Sequence, residues 1–183
     1  MVSVVPSVEG TIAQRFPGAV FVTADRAPLE VLYGEPATLG PDRLSNALAA
    51  RAIVGSPVLA VDCGTATTFT LVDEQGRLAG GAISIGLVTA RDALAARTAR
   101  LPAVDLAIPP AQPATDTLGA LQVGLVHGHA GLIRHLCDLL APGVPVVMTG
   151  GSAALLSPLV PGARLEEHLT ALGGKVFLEQ RLL

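Results

Sequence analysis

The chain has 183 residues, half of them hydrophobic, with a mean hydropathy of +0.57; that is ample for a packed core and argues against a disordered chain. Twelve Lys and Arg against fifteen Asp and Glu leave a net charge of −3, and aromatic residues make up only 3 % with no Trp, so neither a phosphate-backbone binder nor a base-stacking surface is expected. The two cysteines, Cys63 and Cys137, form no CxxC pair, which fits a reducing cytoplasm better than a disulfide framework. Met1 to Gly10 carries no basic start and no long apolar stretch, so no secretory signal is read there. The most apolar long segment, Leu118 to Leu140, is interrupted by His127, His129, Arg134, His135 and Asp138, and a membrane helix is not expected.

In chain order, Val2 to Val5 reads as a short strand stopped by Pro6, Val8 to Arg15 as a short helix and Ala19 to Thr23 as a second strand. Arg26 to Pro41 is rich in Pro and Gly and reads as loop. Asp42 to Ile53 has Leu44, Ala47, Leu48 and Ala52 at helical spacing, with Asp42 as the natural N-cap. Val58 to Val61, Thr67 to Val72 and Leu78 to Ile83 make a three-stranded meander, broken by a Gly-Thr turn and by Asp73-Glu74-Gln75-Gly76. Leu87 to Thr98 is helical, Leu101 to Pro113 a proline-punctuated loop, and Asp116 to Leu140 one long helix. Val144 to Met148 is a buried strand, followed by a Gly-Gly turn and a helix capped by Ser152; Gly162 to Leu165 reads as an edge strand and Leu172 to Arg181 as a last helix. Strands alternate with helices, so the class is α/β with an antiparallel middle, and the weak boundary is Gly55-Ser56-Pro57.

Four segments are candidates for chemistry. In Asp62-Cys63-Gly64-Thr65-Ala66-Thr67-Thr68-Phe69, an apolar strand delivers an aspartate at its C-terminal end, where α/β folds place ligands. Gly64 lets a phosphate approach the backbone, Thr65 and Thr67 add hydroxyls, and a cation must stand between the acid and any phosphate. An ordinary hairpin corner would not need three threonines. In Thr149-Gly150-Gly151-Ser152 a strand runs into two glycines and a helix start, which offers N–H groups to an anion but equally serves close packing. Gly40-Pro41-Asp42-Arg43, after a loop holding Tyr33, pairs an acceptor for a hydroxyl proton with a guanidinium fork for a carboxylate or phosphate; by itself it reads as a capped helix with a surface ion pair. Gly80-Gly81-Ala82-Ile83 and Thr98 to Pro102 suggest a strand edge approached by another chain or a ligand, or plain packing. His127, His129 and His135 make no metal set and read as helix-surface or interface residues, while Gly124 and Gly128 fit a helix–helix or dimer seam.

Together these segments resemble the type III pantothenate kinases. The match runs in order through Ser3 to Pro6, Tyr33 to Pro36, Gly40 to Arg43 with Asn46-Ala47, Asp62 to Phe69, Gly80 to Ile83, Thr98 to Pro102, Thr117 with Gln122 and Gly124, Thr149 to Gly151, and Leu169-Thr170. The resemblance implies an α/β fold of the actin-like (ribonuclease H-like) kinase type, with residues 1–55 as the remainder of a first domain and 56–183 as a complete second one. It implies transfer of the ATP γ-phosphate to the hydroxyl of pantothenate in coenzyme A synthesis, with Mg²⁺ and a monovalent cation, K⁺ or ammonium, in a cytoplasmic homodimer. By position it makes Asp42 the general base. Tyr33, Gly40, Pro41, Asp42, Arg43 and Thr117 become pantothenate contacts, Gly64, Thr65, Gly150 and Gly151 ATP contacts, and Asp62 the monovalent-cation ligand. The family's opening Asp-x-Gly-Asn-Thr loop, which grips the ATP phosphates and Mg²⁺, has no counterpart, for no Gly-Asn-Thr occurs in the chain. Pro41 also stands where the family often has Ala, and Thr70 and Ile85 where it usually has Asp and Pro. The alternative is therefore a non-catalytic binding or regulatory relative. Another actin-like sugar or acetate kinase would not explain Gly-x-Asp-Arg together with Thr-Ala-x-Leu-Pro.

Overall fold

The computed structural model describes residues 1–2 and 6–180, and residues 6–9 by their backbone alone. A helix α1 (Pro6–Arg15) opens the chain and α2 (Pro41–Val54) follows a loop; then come strands β1 (Val58–Cys63), β2 (Ala66–Val72) and β3 (Leu78–Ile85) and helix α3 (Leu87–Arg97). Helix α4 (Thr117–Gln122) passes through a π turn at Val123–His127 into α5 (Gly128–Leu140), and β4 (Val146–Thr149), α6 (Ala153–Leu156), β5 (Arg164–Leu165) and α7 (Leu169–Glu179) complete the chain. The five strands form one sheet in the order β3-β2-β1-β4-β5. The turns between β1, β2 and β3 are too short for a parallel crossover, so these strands run antiparallel, whereas β4 and β5 pair in parallel through Val147 with Arg164 and Met148 with Leu165. β1 lies in the middle of the sheet and is apolar on both faces, with Val58, Leu59, Ala60, Val61 and Cys63 all buried. Among the described residues no helix is long and apolar enough to cross a membrane.

The chain divides into two compact units. The first comprises Met1–Ala60, Thr70–Gly81 and His168–Leu183. Its centre is the seam between α2 and α7. A Cβ on Gly173 would come to 2.7 Å of Ser45 Cα, so the two backbones touch where Gly173 has no side chain. Thr170 donates to Asn46 Oδ1 at 2.8 Å across the same seam. The loop before α2 is stitched to β3: Leu78 N–H donates to Glu30 O at 2.8 Å and Leu32 N–H to Leu78 O at 2.9 Å.

The second unit comprises Val61–Phe69 and Ala82–Glu167. Asp116 caps α4 by accepting from Gly119 N–H at 2.9 Å. The long loop before it is held by Gln122, which donates to Asp105 O, and by His127 Nε2 against Pro109 O, both at 2.9 Å. Leu125, Val126, Ala130, Ile133 and Cys137 carry the buried face of this helical run.

Most expected elements are present, with particular differences. Val2 to Val5 lies outside the described residues apart from Val2. Among the described residues Ala19 to Thr23 forms no strand; its described pairing is with Met1, which accepts from Val22 N–H at 3.0 Å and donates to Val20 O. Asp42 is not the N-cap. Gly40 holds that place and Pro41 follows at the first helical position, where a missing N–H costs nothing. Ser152 makes no side-chain cap, and the helix after it is only Ala153–Leu156. The single long helix expected from Asp116 to Leu140 is interrupted by the π turn.

Candidate functional site

Tyr33 and Arg43 come together in the first unit. The backbone bonds to Leu78 fix the loop that carries Tyr33, and the first turn of α2 carries Arg43. Arg43 is 5 % exposed; its Nη1 donates to the Tyr33 hydroxyl at 3.0 Å, its Nε donates to Thr70 Oγ1 at 3.3 Å, and its guanidinium carbon stands 5.3 Å from the centre of the Tyr33 ring. The expected surface ion pair with Asp42 does not form. Neighbouring residues on a helix point apart, and Arg43 is turned inward. Asp42 is half-buried, and its carboxylate lies back over Gly40, where any Cβ would collide with Asp42 Oδ1. Gly40 and Asp42 are thus a local pair, with Pro41 between them fixing the entry to the helix.

Asp62, Gly64, Thr65 and Gly150 come together in the second unit. A Cβ on Gly150 would collide with Asp62 Oδ1 and stand 2.8 Å from the backbone of Cys63. The Thr149-Gly150-Gly151-Ser152 turn is laced to the end of β1 by Ser152 N–H donating to Cys63 O at 3.0 Å, and Ala153 N–H donates to Gly150 O at 3.0 Å. These N–H groups are spent inside the protein. Gly151 is exposed, with open space above it. The Thr65 carbonyl accepts from Gly86 N–H at 3.1 Å and from the Thr89 hydroxyl at 2.7 Å. A Cβ on Gly86 would stand 2.8 Å from the Thr65 carbonyl carbon, so the start of α3 presses directly on the turn. The Thr65 side chain is left exposed.

The donors of this turn are oxygens, with Asp62 the carboxylate among them, and the Thr65 carbonyl is already bonded twice. One negative charge with neutral oxygens suits a hard monovalent cation. No group of three His, Cys, Asp or Glu able to hold a metal ion occurs among the described residues. A divalent ion such as Mg²⁺ therefore finds no ready protein cage here, and would depend on phosphate oxygens.

Thr117 is the first residue of α4, exposed, and no hydrogen bond ties it to the other candidate residues of its unit among those described. Sequence reasoning missed two contacts. Thr70 is the buried partner of Arg43. His129, expected as a helix-surface or interface residue, is buried, with Nε2 2.8 Å from Thr67 Oγ1. A π turn holds one residue more than an α turn, which rotates the helix face downstream and carries His129 inward. Burial holds the imidazole below its ordinary pKa. Burial, then the Asp62 charge, pushes the Cys63 thiol up to about 12, and burial pushes Cys137 up to about 11, so both are inert thiols.

The relatives that this sequence matches are kinases by description. The family model for type III pantothenate kinase matches residues 1–139. A type III pantothenate kinase of Thermomicrobium roseum is 41 % identical over 182 residues, covering 93 % of this chain and 70 % of the relative. One from Thermus thermophilus is 45 % identical over 172 residues, covering 88 % of this chain and 68 % of the relative. The chain belongs to the type III pantothenate kinase family. A solved structure from Campylobacter jejuni, described as a Baf family transcriptional activator, superposes with a TM-score of 0.72 at 21 % identity, over 98 % of this chain and 81 % of that one, and shows the shared α/β fold.

Proposed function

We propose that the protein transfers the γ-phosphate of ATP to the hydroxyl of pantothenate. The observation that carries the reading is Arg43: a buried guanidinium braced by the Tyr33 hydroxyl and ring, beside an aspartate at the same helix start. In this reading Arg43 binds the pantothenate carboxylate as a fork, with Tyr33 setting its plane. Asp42, held in place over Gly40, orients the attacking hydroxyl and takes its proton, while Gly40 and Pro41 shape the substrate's path and Thr117 adds a hydroxyl contact. In the second unit, Gly64, Thr65, Gly150 and Gly151 line the nucleotide, and Asp62 holds K⁺ or ammonium. Such a cation would supply charge neutralisation beside the phosphates, and Mg²⁺ bound with the nucleotide would add to it. Phosphoryl transfer asks the protein for positioning and charge balance rather than covalent chemistry, and these side chains supply both.

The same reading takes residues 1–55 as the remainder of a first domain of the actin-like kinase type and 56–183 as the second. It places the protein in the cytoplasm, which suits two buried free thiols. It also pairs two copies through exposed Gly124 and Gly128, which have open space above them.

The test is a coupled ADP-release assay on this 183-residue chain with pantothenate, MgATP and either K⁺ or Na⁺. Pantothenate-dependent turnover, stimulated by K⁺ and reduced about a hundredfold or more by Asp42→Asn, is the expected result for a general base. No turnover in a folded chain that still binds pantothenate would replace the kinase reading with that of a binding or regulatory relative.

A further inference from the structure

Behind the turn that carries Asp62, Gly64 and Thr65, two polar side chains meet in the interior of the second unit. Thr67, near the start of β2, is fully buried and His129, on α5, is 6 % exposed; His129 Nε2 lies 2.8 Å from Thr67 Oγ1. An imidazole and a hydroxyl are costly to bury unless each satisfies the other, and a satisfied buried pair fixes one arrangement of the elements that carry it. What it fixes here is the entry to β2. Gly64 N–H donates to Ala66 O at 3.1 Å and closes the turn, so Thr67 is the first residue beyond it. On its other side the turn is held by α3, where Gly86 N–H and the Thr89 hydroxyl donate to the Thr65 carbonyl at 3.1 and 2.7 Å. The exposed Thr65 side chain thus stands between an anchor on α3 at its own carbonyl and an anchor on α5 two residues later.

We infer that His129 is a positioning residue: through Thr67 it fixes the strand on which the turn leaves, and so sets where Gly64 and the Thr65 hydroxyl present themselves to the phosphates of a nucleotide. The inference rests on the reading of this turn as the ATP contact. His129 is assigned no contact with the nucleotide and acts through Thr67. A small misplacement of a binding group is enough to be read in affinity and rate.

The experiment titrates MgATP calorimetrically, in the presence of K⁺, into the full chain and into variants whose folding is checked by their melting curves. His129→Leu leaves the Thr67 hydroxyl buried without its partner; His129→Gln offers an amide at similar reach. The Leu variant is expected to bind MgATP about tenfold or more weakly than the parent, and the Gln variant within about threefold of it. A merely structural role would move the melting temperature and not this affinity. Thr67→Val keeps the shape and removes the hydroxyl, so it should weaken MgATP about as much as His129→Leu does, and the double variant no more than either alone. A folded His129→Leu chain that binds MgATP as tightly as the parent overturns the inference. So do equal losses in the Leu and Gln variants, and so do losses that multiply in the double variant. Should His129→Leu fail to fold, Thr67→Ser and Thr67→Val decide. The Ser variant keeps the hydroxyl and must bind MgATP about tenfold tighter than the Val variant; equal affinities would overturn the inference. A parent chain that binds no MgATP overturns the nucleotide reading of the turn and this inference with it, whereas one that binds MgATP with no effect at residues 67 and 129 overturns the inference alone.

Discussion

Two adjacent glycines make a sharp test of how the second unit is built. Gly150 has φ +93°, and a Cβ there would collide with Asp62 Oδ1 and stand 2.8 Å from the Cys63 nitrogen and carbonyl carbon. Gly151 has no positive φ, and nothing lies within 4 Å of its added Cβ. For Gly150→Ala, the left-handed backbone costs roughly 1–2 kcal/mol. Forcing a methyl group against a buried strand backbone adds roughly 1–3 kcal/mol, because β1 is the middle strand and has little room to give way. The total, about 2–5 kcal/mol, corresponds to a fall in melting temperature of roughly 4–20 °C for a chain of this size. Gly151→Ala carries neither cost and should stay within about 2 °C of the unsubstituted chain. Differential scanning calorimetry of the three proteins reads this directly. A Gly150→Ala melting point within about 2 °C of the parent, or equal losses for both variants, would refute the reasoning.

Other substitutions test single features. Gly40→Ala pushes the Asp42 carboxylate off the position it takes over Gly40; turnover should fall about tenfold or more with the melting point nearly unchanged, and equal turnover would mean that this placement is irrelevant. His129 has its pKa lowered by burial, so the unfolded chain binds more protons than the folded one below the ordinary value of 6.5. Its contribution to stability is complete above that value and is lost as the pH falls through it. Melting temperature should therefore drop more steeply between about pH 7.5 and about pH 5.5 in the parent than in His129→Gln, and parallel curves would contradict this. Cys63 and Cys137, with thiols pushed to about 12 and about 11, should resist a thiol reagent at about pH 8 in the native chain and react fully in denaturant; rapid native labelling would contradict their burial.

Local chemistry made much of this legible. The β2–β3 turn is written in Asp73, whose Oδ1 accepts from the N–H groups of Gln75 at 3.0 Å and Arg77 at 2.9 Å, the side chain imitating a turn of backbone. The central strand is written in an unbroken apolar run, and the start of a helix near Asp116 in the apolar segment that follows it. The π turn at Val123–His127 has no such signature. Leu125, Val126 and His129 are buried in and just after it, and periodicity alone reads straight through it. The Asp62 turn was legible as chemistry, but its demand on the backbone was not: the close approach of Gly86 and Gly150 to it depends on chain segments far away in sequence.

The buried charge on α2 shows why the rest was not readable. Spacing of Leu44, Ala47, Leu48 and Ala52 predicts one apolar face and leaves Arg43 outside it. In the structure every residue from Arg43 to Ala50 is buried, while Ala52 is exposed. A helix covered on all sides has no polar face on which to leave Arg43, Ser45 and Asn46. Each must meet a specific partner instead. Thr170 meets Asn46, and Tyr33 and Thr70 meet Arg43. Ser45 Oγ is the exception and finds none among the described residues, at the point where Gly173 lets the two backbones touch. What surrounds α2 is supplied by Gly173 at the far end of the chain. Filling the seam with Gly173→Ala would drive the helices apart and, on this argument, expose Arg43 to water. Weaker pantothenate binding together with a lower melting point is the expected result, and a stable variant with unchanged affinity would separate the burial of Arg43 from its role.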